Sequence, residues 1–438
     1  MTAHKRLSKE KKVVIENFTS LFSIQALNYI LPIVTFPYLV RVLGVEKFGL
    51  ISFAQAFMQY FLLLTDYGGL AFVREVAVYR EDNRNISLIF SSVTAIKTIF
   101  ILLGGVLLCG IVYYVPKFRL DWQVYIFSFG MVIGRVFFPS WFYQGMEKMK
   151  YITLLNIVSR VIFTIAIFAF VKTKTDYLLV PLINSIGYLS AGIISLVILM
   201  WEFRIKIAMP TYASIQYHLR QGWHFFISMT AINFYTTTNT VILGLFTSNR
   251  IVGYYSAGEK VIGILSQLYT PLFQALYPYI SKIASQSKEH AIRILRKICG
   301  LSFFISIVIC IGIFVFAKDV THILLGEAFS ESVIIMKIMA PLSCIIPMAY
   351  IFSNLGLLPF RLDKYFSRIY ITGAVANLIS LFLFLIVLKM GGVGAAISNM
   401  LTQTLATVLM VVTLEKNGIN LIYVKLFNTG ANNRKDMR

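Results

Sequence analysis

Residues 298–317 read ICGLSFFISIVICIGIFVFA, an unbroken run without a charge, entered from Arg293, Arg296 and Lys297 and left through Lys318 and Asp319. A helix of about 20 such residues covers the hydrocarbon core of a bilayer. It has no polar face to turn to water, so lipid or protein must surround it. Comparable runs recur at 16–41, 47–65, 86–115, 122–144, 151–171, 177–200, 221–246, 251–278, 332–356, 368–390 and 393–414. They predict twelve transmembrane helices. The runs are continuous, whereas the strands of a transmembrane barrel alternate over about ten residues, so helices are the reading.

Composition agrees. The chain is 58% hydrophobic and 13% charged, with a mean hydropathy of +0.76, against about 25% charged residues in a soluble domain. No stretch is left over for a sizeable separate soluble domain. The basic N-terminus runs into an apolar stretch that is too long, and lacks the small-residue cleavage site, for a signal peptide. It is expected to be a retained first helix.

Net charge is +21, with 40 Lys and Arg against 19 Asp and Glu. In a soluble protein that excess would raise nucleic acid; in a membrane protein the positive-inside rule accounts for it, and no nucleic acid is expected. With the N-terminus inside, 26 of the Lys and Arg residues fall in cytoplasmic segments and nine on the opposite side. That asymmetry predicts both termini in the cytoplasm.

Residues 206–220 form the most polar long interior connection, near the midpoint. They read as a cytoplasmic linker between an N-lobe of helices 1–6 (1–205) and a C-lobe of helices 7–12 (221–438). An internal echo supports two halves: Phe48-Gly49-Leu50-Ile51-Ser52 opens the second helix and Val252-Gly253-Tyr254-Tyr255-Ser256 the eighth. Two parallel repeats rocking about a central site is a transporter plan. The expected fold is an all-α polytopic membrane protein, two six-helix lobes around a central cavity.

Five cations lie inside the apolar runs: Lys97, Arg135, Arg160, Lys260 and Lys337, and Glu259 is the one acid equally deep. A charge at the bilayer centre costs roughly 2.5–3.5 kcal/mol on insertion scales, so it faces protein or water. Lys337 is close enough to a helix end to snorkel. Lys97, Arg135 and Arg160 are deeper, and the choice for them is between lining a cavity and pairing with helix carbonyls. Cations in excess of anions create the interior an anionic substrate needs. Lys260 and Glu259, as helix neighbours, diverge by about 100° and cannot both aim at one target. Pro32, Pro37, Pro271 and Pro278 interrupt two of the runs; they read as static kinks or as bending elements, the latter carrying Arg41 with them.

Other chemistry is not signalled. The four cysteines sit singly in apolar runs, the five histidines are scattered, and no phosphate-cradling loop or zinc motif occurs, so no cofactor is implied.

Several strings are more specific: PYLVRVLGVEKFGLISFAQAF (37–57), TDYGG with REVA (65–77), WFYQGMEKM (141–149), VGYYSAGEKVI (252–262), LYPYIS (276–281) and GGVGAAISNMLTQ (391–403). On these the chain resembles the Wzx-type O-antigen flippases, of the superfamily that also holds the multidrug and toxin extruders and the lipid II flippases. The resemblance implies a transporter and not an enzyme: a flippase in the bacterial inner membrane that moves an undecaprenyl-pyrophosphate-linked oligosaccharide from the inner to the outer leaflet through a cationic cavity. A polysaccharide polymerase and a chain-length regulator would be its partners, and the coupling ion, proton or sodium, stays open. The expected substrate-binding residues are Lys97, Arg135, Arg160, Lys260, Glu259 and Arg41. Asp66, Arg74 and Glu75, at helix ends within the matched strings, are expected in gating or inter-lobe contact, with plain helix-end electrostatics as the other reading. The rivals are a cation-coupled drug extruder of the same fold, which needs a deep carboxylate, and a membrane polysaccharide polymerase, which needs a large soluble loop.

Overall fold

A computed structural model describes residues 2–421, with side chains described from Leu31 onward except at positions 70, 224, 225, 228, 229, 231–236, 271, 274 and 275. The C-terminal basic tail and the side chains of the basic N-terminus, of His4, of His224 and of Pro271 therefore lie outside the described residues. The described chain is 87% helix without strands, and every apolar run falls on helical segments. The helices are α1 Thr2–Thr65, α2 Gly69–Tyr79, α3 Asn83–Tyr114, α4 Pro116–Leu120, α5 Trp122–Val136, α6 Ser140–Gly145, α7 Met149–Phe170, α8 Leu179–Trp201, α9 Tyr212–Phe246, α10 Asn249–Gln267, α11 Thr270–Gln286, α12 Lys288–Val320, α13 Ser332–Met339, α14 Leu342–Tyr350, α15 Asp363–Leu381 and α16 Gly391–Lys416. Among the described residues eight segments are long and apolar enough to cross a membrane, and a ninth is the pair Ser332–Met339 and Leu342–Leu357, bent by 42°. The protein is an all-α polytopic membrane protein.

The breaks have local causes. Two apolar runs, 16–41 and 47–65, share α1, which continues past Pro32 and Pro37 and departs from helical geometry at Gly44 (φ 68°, ψ 175°). That region of backbone space is open essentially to glycine alone, so the turn falls at the glycine, not at the prolines. α5 stops at Val136 before Pro139, because a residue preceding proline is pushed out of the helical region.

Contacts divide the chain into unit 1, Met1–Asn233 with Thr240–Gly253, and unit 2, Phe234–Asn239 with Tyr254–Arg438. In unit 1, α5 and α8 approach backbone to backbone: a methyl added at Gly134 would meet the Tyr188 carbonyl carbon at 2.5 Å, and one at Gly192 the Gly134 oxygen at 2.7 Å. Small residues let membrane helices pack this closely. The two echo glycines do the same to each other's helices. A methyl at Gly49 would lie 1.8 Å from the Asn249 oxygen and 2.6 Å from the Gly253 nitrogen, and one at Gly253 would lie 2.1 Å from the Val45 oxygen. Next to this crossing, Lys117 donates to the Thr247 carbonyl, and burial pushes its ammonium below the usual lysine range.

One apolar cluster of unit 1 gathers Tyr67, Phe72, Val76, Phe90, Trp141 and Phe142 with Leu155, Leu199 and Ile205. One apolar cluster of unit 2 joins Tyr269, Phe273, Leu295, Phe352, Leu355 and Met410.

Residues 206–220 belong to unit 1. They run without regular secondary structure as far as Thr211, whose hydroxyl accepts from the Ser214 amide and so caps α9. Thereafter one helix runs from Tyr212 through the whole apolar run to Phe246.

Candidate functional site

In unit 1, α3 carries Lys97 on its inward face, only 4% exposed. Its Nζ lies 5.5 Å from the Trp141 ring centre, an attractive cation–π arrangement. Asp66 and Arg135 are both within electrostatic reach of it. Arg135 is half-buried in the last turn of α5, where the negative end of the helix dipole favours a cation. Its guanidinium carbon is 5.8 Å from the Phe138 ring. Asp66 is exposed at the end of α1. Three of the nine expected residues thus form one charged group, two cations to one acid, against aromatic rings.

Arg160 is exposed on α7 beside buried Ser159, and Arg41 is exposed on α1 three residues before the break at Gly44. Arg74 is exposed on α2. Lys337 is exposed on α13 with its Nζ 5.6 Å from the Phe314 ring, as a snorkelling lysine would be.

Glu259 and Lys260, on α10, belong to unit 2 and are half-buried. The hydroxyl of Tyr255, one turn earlier, donates to Glu259 Oε1 at 3.0 Å and accepts from Asn399 Nδ2 at 3.3 Å. Near it Asn377 Nδ2 donates to Asn239 Oδ1 at 3.0 Å and to Thr402 Oγ1 at 3.3 Å. This buried polar chain was not expected, because Asn, Ser and Thr carry no charge and do not stand out in an apolar run.

Glu75 has a partner the sequence did not indicate. Its Oε2 lies 3.3 Å from Nε2 of His218, with the side chains 12% and 5% exposed. His218 sits in the polar segment that reads as a linker. A signal was available: α9 continues the helical period backwards from the apolar run, and His218 falls on its covered side.

Among the described residues no cluster of His, Cys, Asp and Glu could hold a metal ion.

A multi-pass helical fold of this kind is shared by solved membrane transporters. The solved lipid II flippase MurJ, in an inward closed conformation, matches with a TM-score of 0.69 at 15% identity over 90% of this chain and 87% of its own. An inward-facing multidrug resistance MATE family transporter matches at 0.61 and 12% identity over 88% of this chain and 95% of its own. At these identities the likeness is one of fold. The chain belongs to the polysaccharide biosynthesis protein family, whose model matches residues 14–284. A putative O-antigen transporter of Escherichia coli (strain K12) is 31% identical over 94% of this chain and 99% of its own length. The resemblance to the Wzx-type flippases is thereby borne out, and the chain is a transporter and not an enzyme.

Proposed function

We propose that this protein translocates an undecaprenyl-pyrophosphate-linked oligosaccharide from the inner to the outer leaflet of the bacterial inner membrane by alternating access, with both termini in the cytoplasm. An isoprenoid tail is at home in lipid, but a pyrophosphate with a sugar chain cannot cross hydrocarbon unaided, because burying unpaired charges and hydroxyls is prohibitive. A basic pathway supplies charge-assisted hydrogen bonds to the head group while the tail stays in the bilayer.

The observation that carries this reading is the Lys97 and Arg135 pair, two cations held within electrostatic reach with a single nearby acid, Asp66. A buried positive excess is costly unless something anionic visits it. Arg160, Lys260, Glu259 and Arg41 are assigned to the same pathway, and Asp66, Arg74 and Glu75 to its gating. The two lobes, the polymerase and the chain-length regulator belong to the same proposal. The drug-extruder reading places its weight on Glu259, whose carboxylate already accepts from Tyr255.

The experiment is translocation of a fluorescent lipid-linked oligosaccharide in vesicles that contain the purified protein. Protection of the head group on one leaflet, faster than in empty vesicles, is the expected result. Translocation no faster than in empty vesicles, with uptake of an organic cation in its place, would overturn the proposal.

A further inference from the structure

The segment 206–220 is held within unit 1 by a series of contacts in which the hydroxyls of Ser87, Ser91 and Ser92 are each used twice. Ser87 Oγ donates to the Asn83 carbonyl and accepts from the Lys206 amide at 3.1 Å. Ser91 Oγ donates to the Ser87 carbonyl and accepts from the Ala208 amide at 3.0 Å. Ser92 Oγ donates to the Leu88 carbonyl, so the proton on its 2.7 Å contact with Ser214 comes from Ser214. The Tyr67 hydroxyl donates to the Leu219 carbonyl.

His218 closes the series, and its partners fix how many protons it needs. Nδ1 is 2.7 Å from the Ser214 carbonyl oxygen, which can only accept, so Nδ1 carries a hydrogen. Nε2 faces Glu75 Oε2 at 3.3 Å, and neither atom has another hydrogen-bond partner among the described residues. A neutral imidazole with its hydrogen on Nδ1 presents a lone pair at Nε2. Opposite an ionised carboxylate, two acceptors would then face each other in a buried site, which leaves both unsatisfied. One additional proton resolves the clash, whether it resides on Nε2 or on Oε2.

We propose that Glu75 and His218 form a proton-binding site, and that the single proton they share latches the start of α9 onto α2. Because the docked segment binds one proton more than the undocked one at alkaline pH, docking weakens as pH rises.

The surroundings leave this pair in control. On α2 Arg74 is exposed, as is Arg80 just after its end, and Arg80 pairs with Glu147 at 3.1 Å. On α3, Arg84 is exposed, and Lys97 has its Nζ 5.5 Å from the ring of Trp141, which packs edge-on against Phe72. Phe72 in turn packs edge-on against His218. From the irregular segment before α9, Arg204 and Lys206 are exposed. On α9, Arg220 is exposed, and the Tyr217 ring stands edge-on to the imidazole at 5.2 Å. At the end of α1 Asp66 is exposed, and Tyr67 spends its hydroxyl on Leu219.

The test uses the full chain in lipid nanodiscs, its four cysteines replaced, with spin labels at Arg84→Cys and Gln216→Cys, both exposed positions. The distance distribution between them is measured from about pH 5 to about pH 8, the range in which a histidine ordinarily changes its charge. A single short distance at acid pH, giving way to a longer one with a tenfold change in the docked ratio per pH unit, is expected. Glu75→Gln supplies an amide that donates to neutral Nε2, so its docked fraction stays constant across the range. A wild-type distribution that does not change with pH overturns the proposal, as does a Glu75→Gln variant that follows the wild-type curve. His218→Gln is read in the same way, so failure of one variant to fold leaves the question decidable.

Discussion

Replacing Gly49 by alanine tests whether the crossing of α1 and α10 is as tight as the backbone implies. The added methyl would stand 1.8 Å from the Asn249 carbonyl oxygen, where ordinary contact begins at 3.4 Å, so the helices must part by the difference, 1.6 Å. The obstacle is main chain and cannot rotate away. Overpacking of this kind costs about 1–3 kcal/mol, and a backbone obstacle belongs at the upper end. The intrinsic gain of alanine over glycine in a helix returns about 0.5–1 kcal/mol, which leaves a net loss of about 2 kcal/mol. Gly300→Ala in α12 is the control, since a methyl there meets nothing within 4 Å; it keeps the helical gain without the clash. The two variants should therefore differ by about 3 kcal/mol, roughly a hundredfold in the folded-to-unfolded ratio at 1.4 kcal/mol per tenfold. Reversible denaturation of the purified variants in mixed micelles reads this difference. Adding Gly253→Ala to Gly49→Ala should cost less than the two single losses together, because helices already parted leave room for the second methyl. Equal stabilities for Gly49→Ala and Gly300→Ala would refute the reasoning.

Further outcomes follow from other elements. Arg135→Gln should lower translocation per inserted molecule while Arg135→Lys retains part of it, since lysine keeps the charge but not the bidentate geometry; normal transport by the Gln variant at normal abundance would remove Arg135 from the substrate path. A reporter active only outside the cytoplasm, fused after Arg438, should be silent, and activity there would invert the orientation. Asp82→Ala removes the carboxylate that accepts from the Arg84 and Asn85 amides at 3.0 and 3.1 Å, and should cost about 1 kcal/mol as the loss of an N-cap, seen as a lower denaturation midpoint with an unchanged slope.

What the sequence made legible is what hydrocarbon makes expensive. Apolar runs announce the helices, and a lysine in the middle of one, Lys97, is visible because it is costly there. The glycine echo was legible as a repeat but not as a contact, since nothing in FGLIS or VGYYS says that the two glycines face each other. The turn within α1 was legible as the gap between the runs 16–41 and 47–65, which brackets Gly44, but the positive φ that makes it is not marked by anything beyond one more glycine. His218 was not singled out because a polar segment reads as solvated connection, and only packing against Glu75 and Phe72 distinguishes a docked helix start from a loop. The Asn239, Asn377 and Thr402 network escaped because uncharged polar residues are tolerated in membrane helices and carry no penalty large enough to flag them.

The assignment of residues 240–253 to unit 1 bears on how such a chain can be divided. A gene cut after residue 220 yields a first product that lacks the segment against which Gly49 is packed and to which Lys117 is bonded. Such a half would reach the membrane with a bare backbone groove along α1. Co-expression of the two halves restores the missing segment, whereas expression of either alone does not.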